Sequence, residues 1–342
     1  MADITVRGAG IFGLSIAWAC VRRGARVTVI DPQGAGAGSS GGILGALAPH
    51  VPENWNPKKA FQLESLLMAQ AFWREVHTEG GTDPGYARTG RLQPVADEAA
   101  LALALRRAET ALDLWGPHAI WEVIEAGTDW APVSPTGRLI RDTLSAQLHP
   151  RKACEALAAA LAARGVVVCR EAPNKGVVVW ATGVKGLEML SENRERPVGN
   201  GVKGQAALLQ YDASKQPQIF ANGVHIIPHL DGTVAVGSTS EREFAAPTDT
   251  DGQLDDVIAA ARSAVPALAN AFVIERWAGV RPRARSRAPM LGRWPDRPGH
   301  FIANGGFKIG FGMAPKVADV MADLMLENLD KIPEGFRVED NL

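Results

Sequence analysis

A glycine pattern near the N-terminus constrains this chain more than any other feature. Gly8-Ala9-Gly10-Ile11-Phe12-Gly13 follows directly on a short apolar run holding Ile4 and Val6. An apolar-periodic segment from Leu14 to Arg23 comes next and Gly24 stops it; Arg26-Val27-Thr28-Val29-Ile30 then leads into Asp31. The order reads as strand, tight turn, helix, strand, acid. Gly8 permits the turn, and Gly10 lets the backbone approach a pyrophosphate with no Cβ in the way. Gly13 allows the helix to pack closely on the strand, so the helix N-terminus faces the phosphates. Asp31 can accept hydrogen bonds from the ribose hydroxyls of an adenosine. In a chain with 36 glycines the bare spacing is weak. With strand, helix and acid in place it reads as a dinucleotide site, of unspecified dinucleotide and reaction.

At 342 residues the chain is long enough for two lobes around a large core. Its 36 Lys plus Arg balance 37 Asp plus Glu, which argues against a generic nucleic-acid binder or a protein held to anionic lipid by charge. Cys20, Cys154 and Cys169 match no metal or redox spacing, so no metal is expected and a reducing compartment is. Cys20 and Cys169 are expected to be buried thiols. A first strand beginning by Ile4 leaves no room for a signal peptide, and no apolar run approaches the ~20 residues of a membrane span. A soluble, cytoplasmic protein is the expectation.

The small-residue run from Gly34 to Gly42, with Ser39 and Ser40, reads as a flexible linker or as a close-approach surface for a ligand. The apolar Ile43-to-Pro49 stretch that follows favours the second. Helices are expected over Phe61–Glu79, stopped by Gly80-Gly81, and over Glu98–Trp115. A short strand pair is expected around Gly90, from Tyr86 to Val95. The stretch through Pro132, Pro135 and Gly137 reads as irregular, with Trp121 and Trp130 in the core or between lobes. A helix with proline in its first turn runs from His149-Pro150-Arg151 to Arg164. Valine runs 166–168 and 177–179 return to a buried parallel sheet, the second closing through Trp180 at Ala181-Thr182-Gly183. Residues 198–244 are β-like around an Asp231-Gly232 turn, a helix spans Leu254–Val265, and the last 65 residues read as Gly- and Arg-rich loops before a helix from about Ala314 to Leu329. His149 and His300 flank turns and read as surface residues.

Several patches resemble the flavoprotein amine oxidases that include D-amino-acid oxidase, glycine oxidase and monomeric sarcosine oxidase. They are Ser40-Gly41-Gly42-Ile43-Leu44-Gly45, Trp180-Ala181-Thr182-Gly183 and Val202-Lys203-Gly204-Gln205. Ile227-Pro228-His229 with Asp231 to Thr239 is similar to the family's pocket hairpin. Trp277-Ala278-Gly279-Val280-Arg281-Pro282, Pro289 to Gly292 and Phe301 to Pro315 complete the series. The patches lie in the family's order, with no match over residues 51 to 148.

The resemblance implies an α/β chain (α+β overall) with a Rossmann-type FAD-binding domain, discontinuous over 1–50, 149–197 and 276–342. A second, antiparallel-sheet substrate domain would be formed by insertions 51–148 and 198–275. FAD would be non-covalent, because Gly279 stands where one branch has a flavin-linking cysteine. Its contacts would come from Gly8, Gly10, Ile11, Phe12, Gly13 and Asp31, then from Ser39, Ser40, Gly42, Ile43 and Leu44. Ala181, Thr182 and Gly183 would add to these, with Gly305, Gly306, Phe307, Lys308 and Ile309 at the other end.

The implied activity removes a hydride from the amine-bearing carbon of glycine, a D-amino acid or an N-alkyl glycine. The imine then hydrolyses to a 2-oxo acid and ammonia or an amine, and electrons pass to oxygen or to a quinone or other carrier. Arg281 corresponds to the carboxylate-gripping arginine, against the bland reading of one more surface arginine beside Arg283, Arg285, Arg287 and Arg293. Lys308 matches a cation near carboxylate and flavin. His225 stands nearest a family tyrosine and could hydrogen-bond substrate, act as a base near neutral pH, or be structural. His50, where the chain leaves the flavin segment, is a weaker candidate. Ala235 falls near the place of an oxygen-activating lysine, which counts against direct oxidase activity. Two other readings compete. An NAD-linked dehydrogenase needs a His–Asp pair and leaves the Gly-Phe-Lys-Ile-Gly loop unexplained. A flavoprotein acting on a modified tRNA base needs a basic surface that the charge balance does not supply.

Overall fold

The computed structural model describes residues 2–342. Short β-branched runs separated by glycine turns build its elements. From the N-terminus they are β1 (Asp3–Arg7), α1 (Ile11–Arg22), β2 (Arg26–Ile30), β3 (Ala46–Leu47), α2 (Pro57–Gly80), β4 (Arg91–Pro94), α3 (Glu98–Leu114), β5 (Trp121–Glu125), β6 (Arg138–Asp142), β7 (Ala146–Gln147) and α4 (Pro150–Ala163). Then come β8 (Val168–Cys169), β9 (Val177–Trp180), α5 (Gly183–Ser191), β10 (Gly199–Gln210), β11 (Gln218–Ala221), β12 (Val224–Pro228) and β13 (Thr233–Gly237). The chain ends through α6 (Gly252–Ala264), β14 (Phe272–Ala284), β15 (Met290–Arg293), β16 (His300–Asn304) and α7 (Gly310–Ala322).

The strands form a six-stranded sheet, β15-β16-β9-β1-β2-β8, and an eight-stranded sheet, β14-β10-β13-β12-β11-β4-β6-β5. The first is parallel except for β15; the second is antiparallel except where β4 meets β11. A mixed α/β architecture with a parallel and a separate antiparallel sheet is the outcome, as expected. Helix α1 is buried from Ile11 through Cys20, so it lies inside the core against α4 and α7 rather than on a surface. One face of the eight-stranded sheet packs on α6 through Leu209, Ile226, Val236 and Leu254. Local signals set the helix ends: Asn56, Asp97 and Asp251 cap α2, α3 and α6 through their side chains, and left-handed Gly81 stops α2.

Several expectations are corrected. Tyr86–Val95 is no strand pair: Ala87 bridges to Gln147, and β4 pairs with β6 and β11. The stretch read as irregular contains the β5–β6 hairpin, whose alternating Trp121-Glu122-Val123-Ile124-Glu125 is hidden by the prolines that follow. The Val166 run becomes a strand only at Val168, and Cys169 is half-buried because β8 is a sheet edge. The C-terminal "loops" are largely strand: β14 pairs along its length with β10 and runs through the boundary expected at 275/276. Helix α2, within 51–148, packs on α4 and α7 rather than on the eight-stranded sheet. The last helix begins at Gly310 and ends through one π-helical turn at left-handed Asn328. His149 is buried, its ring tilted against that of His229 at 4.6 Å between centroids. Among the described residues no helix is long and apolar enough to cross a membrane, and no group of three His, Cys, Asp or Glu is arranged to hold a metal ion.

Candidate active site

At the dinucleotide end, backbone meets backbone. A Cβ on Gly13 would lie 1.8 Å from the Gly8 carbonyl oxygen, and one on Gly8, at φ +101°, would lie 2.3 Å from that of Ala181. The turn, helix α1 and the end of β9 can therefore close on one another only as glycines. Gly10 starts α1 without a side-chain cap, and Ser40 Oγ accepts the Ile11 N–H at 3.0 Å. Asp31, at the end of β2, accepts the Ala9 N–H at 2.9 Å and the Gln33 N–H at 3.0 Å. It thus braces the glycine turn while keeping lone pairs free for a ribose. Ala181 donates to the Arg7 carbonyl, and Gly183 opens α5 beside Asn304, whose Nδ2 donates to the Gly183 carbonyl at 2.8 Å. Gly8, Gly10, Ile11, Phe12, Gly13, Asp31, Ser40 and the Ala181-Thr182-Gly183 strand end are thereby assembled at one edge, with half-buried Ser39 beside them.

The segment after Ser40 packs on the eight-stranded sheet. Ile43 is fully buried in a cluster with Ala206, Leu208, Ile227 and Ala235, against which Leu44 packs. The indole of Trp277 fills the room left by two glycines: a Cβ would come within 3.1 Å of it on Gly42 and 2.5 Å on Gly279.

Residues paired across strands share a face of the sheet, as do residues two apart along a strand. Arg91 pairs with Gln218, and Phe220, two residues on, pairs with His225. His225 pairs with Gly237, Gly237 with Ala206, and Ala206 with Trp277. Gly279 and Arg281 follow at two-residue steps along β14. Arg91, His225 and Arg281 therefore stand on the one face that covers Ile43 and Leu44.

Arg281 donates from Nη1 to Ser238 Oγ at 2.9 Å, and from Nη2 to the carbonyls of Thr239 at 2.7 Å and Lys203 at 3.2 Å. Its guanidinium lies where a Gly204 side chain would begin, 2.2 Å from an ideal Cβ. The Phe307 ring is a shared platform: Arg281 sits 5.4 Å from its centroid, Arg283 5.6 Å and the Lys308 ammonium 5.9 Å. Phe307 adopts φ 44°, unusual for a bulky residue, and donates its N–H to the Pro282 carbonyl at 3.1 Å. Gly306 packs without a Cβ against the Phe12 ring, joining this C-terminal loop to α1. Gly305, at φ +73°, accepts the turn, and Ile309 begins α7 with no side-chain cap. Of the other arginines in the run, Arg285, Arg287 and Arg293 are exposed.

Burial pushes Arg281 down to about 10 even with Glu241 nearby. Lys308, itself exposed, is lowered by partial desolvation and then by the Arg281 charge. His225 falls to about 4 through burial, then through the charges of Arg91 and Lys308, and its sealed Nδ1 has no partner. It is therefore neutral at neutral pH and does not titrate there as the sequence suggested. Above pH 6.5 His225 is neutral in both folded and unfolded chain and contributes nothing to the balance. As pH falls from 6.5 towards 4, the unfolded chain takes up a proton that the folded one refuses, and up to about 3 kcal/mol of stability is lost. His225→Gln should flatten that part of the profile, read as a smaller drop in denaturation midpoint between pH 7 and pH 4.5. An unchanged drop would mean that His225 is hydrated.

His50 is not drawn into this group: its backbone N–H and its ring are both held by Gln62 on α2. Arg91 is the residue that no local sequence signal points to. It lies in the segment without family likeness, next to Gly90, and only strand register brings it beside His225.

A model of the family described as FAD dependent oxidoreductase matches residues 3–324. The glycine oxidase of Pseudomonas aeruginosa is 28% identical over 344 residues, covering 94% of each chain. The crystal structure of glycine oxidase from Geobacillus kaustophilus shares the fold, with a TM-score of 0.83 at 19% identity over 99% of both chains. That of iminodiacetate oxidase from Chelativorans sp. BNC1 does so at 0.84 and 21% identity, over 98% of both.

Proposed function

Because the chain belongs to the FAD dependent oxidoreductase family, we propose that it removes a hydride from the amine-bearing carbon of a small amino acid such as glycine, a D-amino acid or an N-alkyl glycine. The observation that carries this reading is the ring of cations around Phe307. Arg281, Arg283 and Lys308 have no ion-pair partner among the described residues; Arg281 is lowered by burial, and Lys308, though exposed, by partial desolvation and by the Arg281 charge. Such a group calls for an anion, and a substrate carboxylate would supply it. FAD, when bound, supplies the hydride acceptor.

The residues around it fit that cofactor. Gly8 to Gly13 and Asp31 suit its adenosine and pyrophosphate end, where Cβ atoms would collide with backbone. Gly42 to Leu44, Ala181 to Gly183 and Gly305 to Ile309 suit the flavin end, with α7 offering uncapped N–H groups to a carbonyl. Arg281 and Lys308 would fix the carboxylate and so the orientation of the reacting C–H. Their charges also disfavour an ammonium beside them, so the amine is held in the neutral form that hydride loss needs. Neutral His225 can accept a hydrogen bond from it. The names of the relatives, oxidases of glycine and of iminodiacetate, agree with a carbon bearing both amine and carboxylate. The family counts against an NAD-linked enzyme, and the net charge of -1 lends a tRNA substrate no support.

Purified protein should show the flavin absorption bands, and acid precipitation should release the flavin to the supernatant, since Gly279 offers no thiol. Flavin retained in the pellet would overturn non-covalent binding. Anaerobic bleaching by at least one of glycine, sarcosine, proline or a D-amino acid is the expected result, and bleaching by none would overturn the substrate class. Repeating the assay in air separates oxygen from a carrier as acceptor.

A further inference from the structure

The face of the eight-stranded sheet that bears Arg281 continues into a second set of polar groups. Arg91, 5% exposed, donates from Nε to Asp142 Oδ2 at 2.9 Å, while its Nη2 is buried without a partner. Gln218, its neighbour in register, is fully buried; Nε2 donates to the Ala146 carbonyl at 2.7 Å and Oε1 has no partner. Gln147, the next residue after Ala146, is also fully buried, and neither end of its amide is bonded. Ser145 Oγ is a further orphan on the same strand segment, whose carbonyl accepts the Gly90 N–H.

This patch adjoins the proposed flavin site. Gln147 pairs with Ala46, two residues beyond Leu44, and the Leu148 N–H donates to the Gly45 carbonyl. His225 links it to the cation group, because Arg91 and Lys308 both press on its charge state. Each such orphan is costly until something bonds it, and these stand together on three adjoining strand segments. Arg91 is already neutralised by Asp142, so the patch is short of a hydrogen-bonding partner rather than of a counter-charge. A guanidinium edge with a free Nη2 and an amide with a free Nε2 are donors that suit a planar acceptor group.

We propose that the substrate pocket extends from Arg281 and Lys308 past His225 to a second subsite made by Arg91, Gln147 and Gln218, which takes a carboxylate or carboxamide carried on the substrate's N-substituent or side chain. The inference rests on the amino-acid-oxidising reading and narrows its substrate class to amino acids with two planar acceptor groups.

Achiral N-substituted glycines test it without stereochemical confusion. With the holoenzyme under anaerobic conditions, flavin bleaching by iminodiacetate or its monoamide should exceed that by N-propylglycine by about tenfold or more in rate over affinity. The better of the two acceptors identifies carboxylate or carboxamide. Gln147→Leu breaks no side-chain hydrogen bond and should lower that ratio by about tenfold. Arg91→Lys should lower it too, although its effect on the buried pair with Asp142 makes Gln147→Leu the decisive variant. A wild-type ratio near one overturns the subsite. So does a ratio that Gln147→Leu leaves unchanged, which would assign the orphaned atoms to internal water. Bleaching by sarcosine and N-propylglycine with no advantage for the acceptor-bearing compounds overturns this inference alone. Bleaching by no amine overturns the parent reading with it.

Discussion

Replacing Arg281 by alanine is expected to lower kcat/KM for carboxylate substrates by about 100-fold, equivalent to about 3 kcal/mol, with most of the loss in apparent affinity. Burial depresses the guanidinium yet leaves it charged, and three hydrogen bonds to Ser238, Thr239 and Lys203 fix its plane. Its Nε is buried without a partner, so one donor of the fixed guanidinium is left over for a ligand. Arg281→Lys should recover only part of the loss, because an ammonium keeps the charge and loses the fixed plane of donors. Flavin content should be unaffected in both variants, which separates substrate anchoring from cofactor loss. Unchanged carboxylate affinity in Arg281→Ala would remove Arg281 from the role.

The same prediction has a geometric arm. Gly204→Ala puts a methyl 2.2 Å from Arg281 Nη2, and the guanidinium, being the mobile partner, must leave its bed on β10. Affinity should fall although the arginine is intact. An effect close to that of Arg281→Ala would mean that position, and not only charge, makes the anchor.

What the sequence made legible follows from where the physical signal resides. Strands β2 and β9 have the bounds that β-branched runs between glycines suggest, and α3 starts at Glu98 as expected. The glycines at 8 and 13 were readable because their role is to lack a side chain, which residue type alone encodes. Strand β14 was not: Gly279, Pro282 and four arginines between Arg276 and Arg285 argue locally for loop, and the twelve paired positions along β10 decide otherwise. His149 next to Pro150 looked like a surface turn, yet it is buried by His229 from a distant hairpin. Arg281 and Lys308 were reached through family likeness, and their shared platform on Phe307 became visible only in three dimensions. Arg91 lay beyond both routes, since an arginine after a glycine in an unmatched segment looks solvated. Non-local pairing hides what local pattern cannot carry.

Gly13→Ala is expected to be the most damaging single methyl added to this protein. The new Cβ would lie 1.8 Å from the Gly8 carbonyl oxygen and 3.0 Å from its carbon, both backbone atoms that cannot rotate away. Relief requires α1 to lift from β1, and α1 is buried from Ile11 through Cys20 against α4 and α7. The displacement therefore passes into the core, at about 3 kcal/mol, a sizeable part of the ~5–15 kcal/mol that holds a typical domain. With FAD held as proposed, it would also withdraw the helix N-terminus from the phosphates, so the flavin-to-protein absorbance ratio after gel filtration should collapse. Gly24→Ala is the control: at φ +81° with nothing within 4 Å, it should cost only left-handed strain, about 1 kcal/mol, and leave the ratio unchanged. Gly13 lies in the first turn of α1 and Gly24 just past its end, so the contrast isolates close approach from backbone conformation. Full flavin retention in Gly13→Ala would show that the helix can be moved without opening the site, and the tight turn would then lose its claim to position the cofactor.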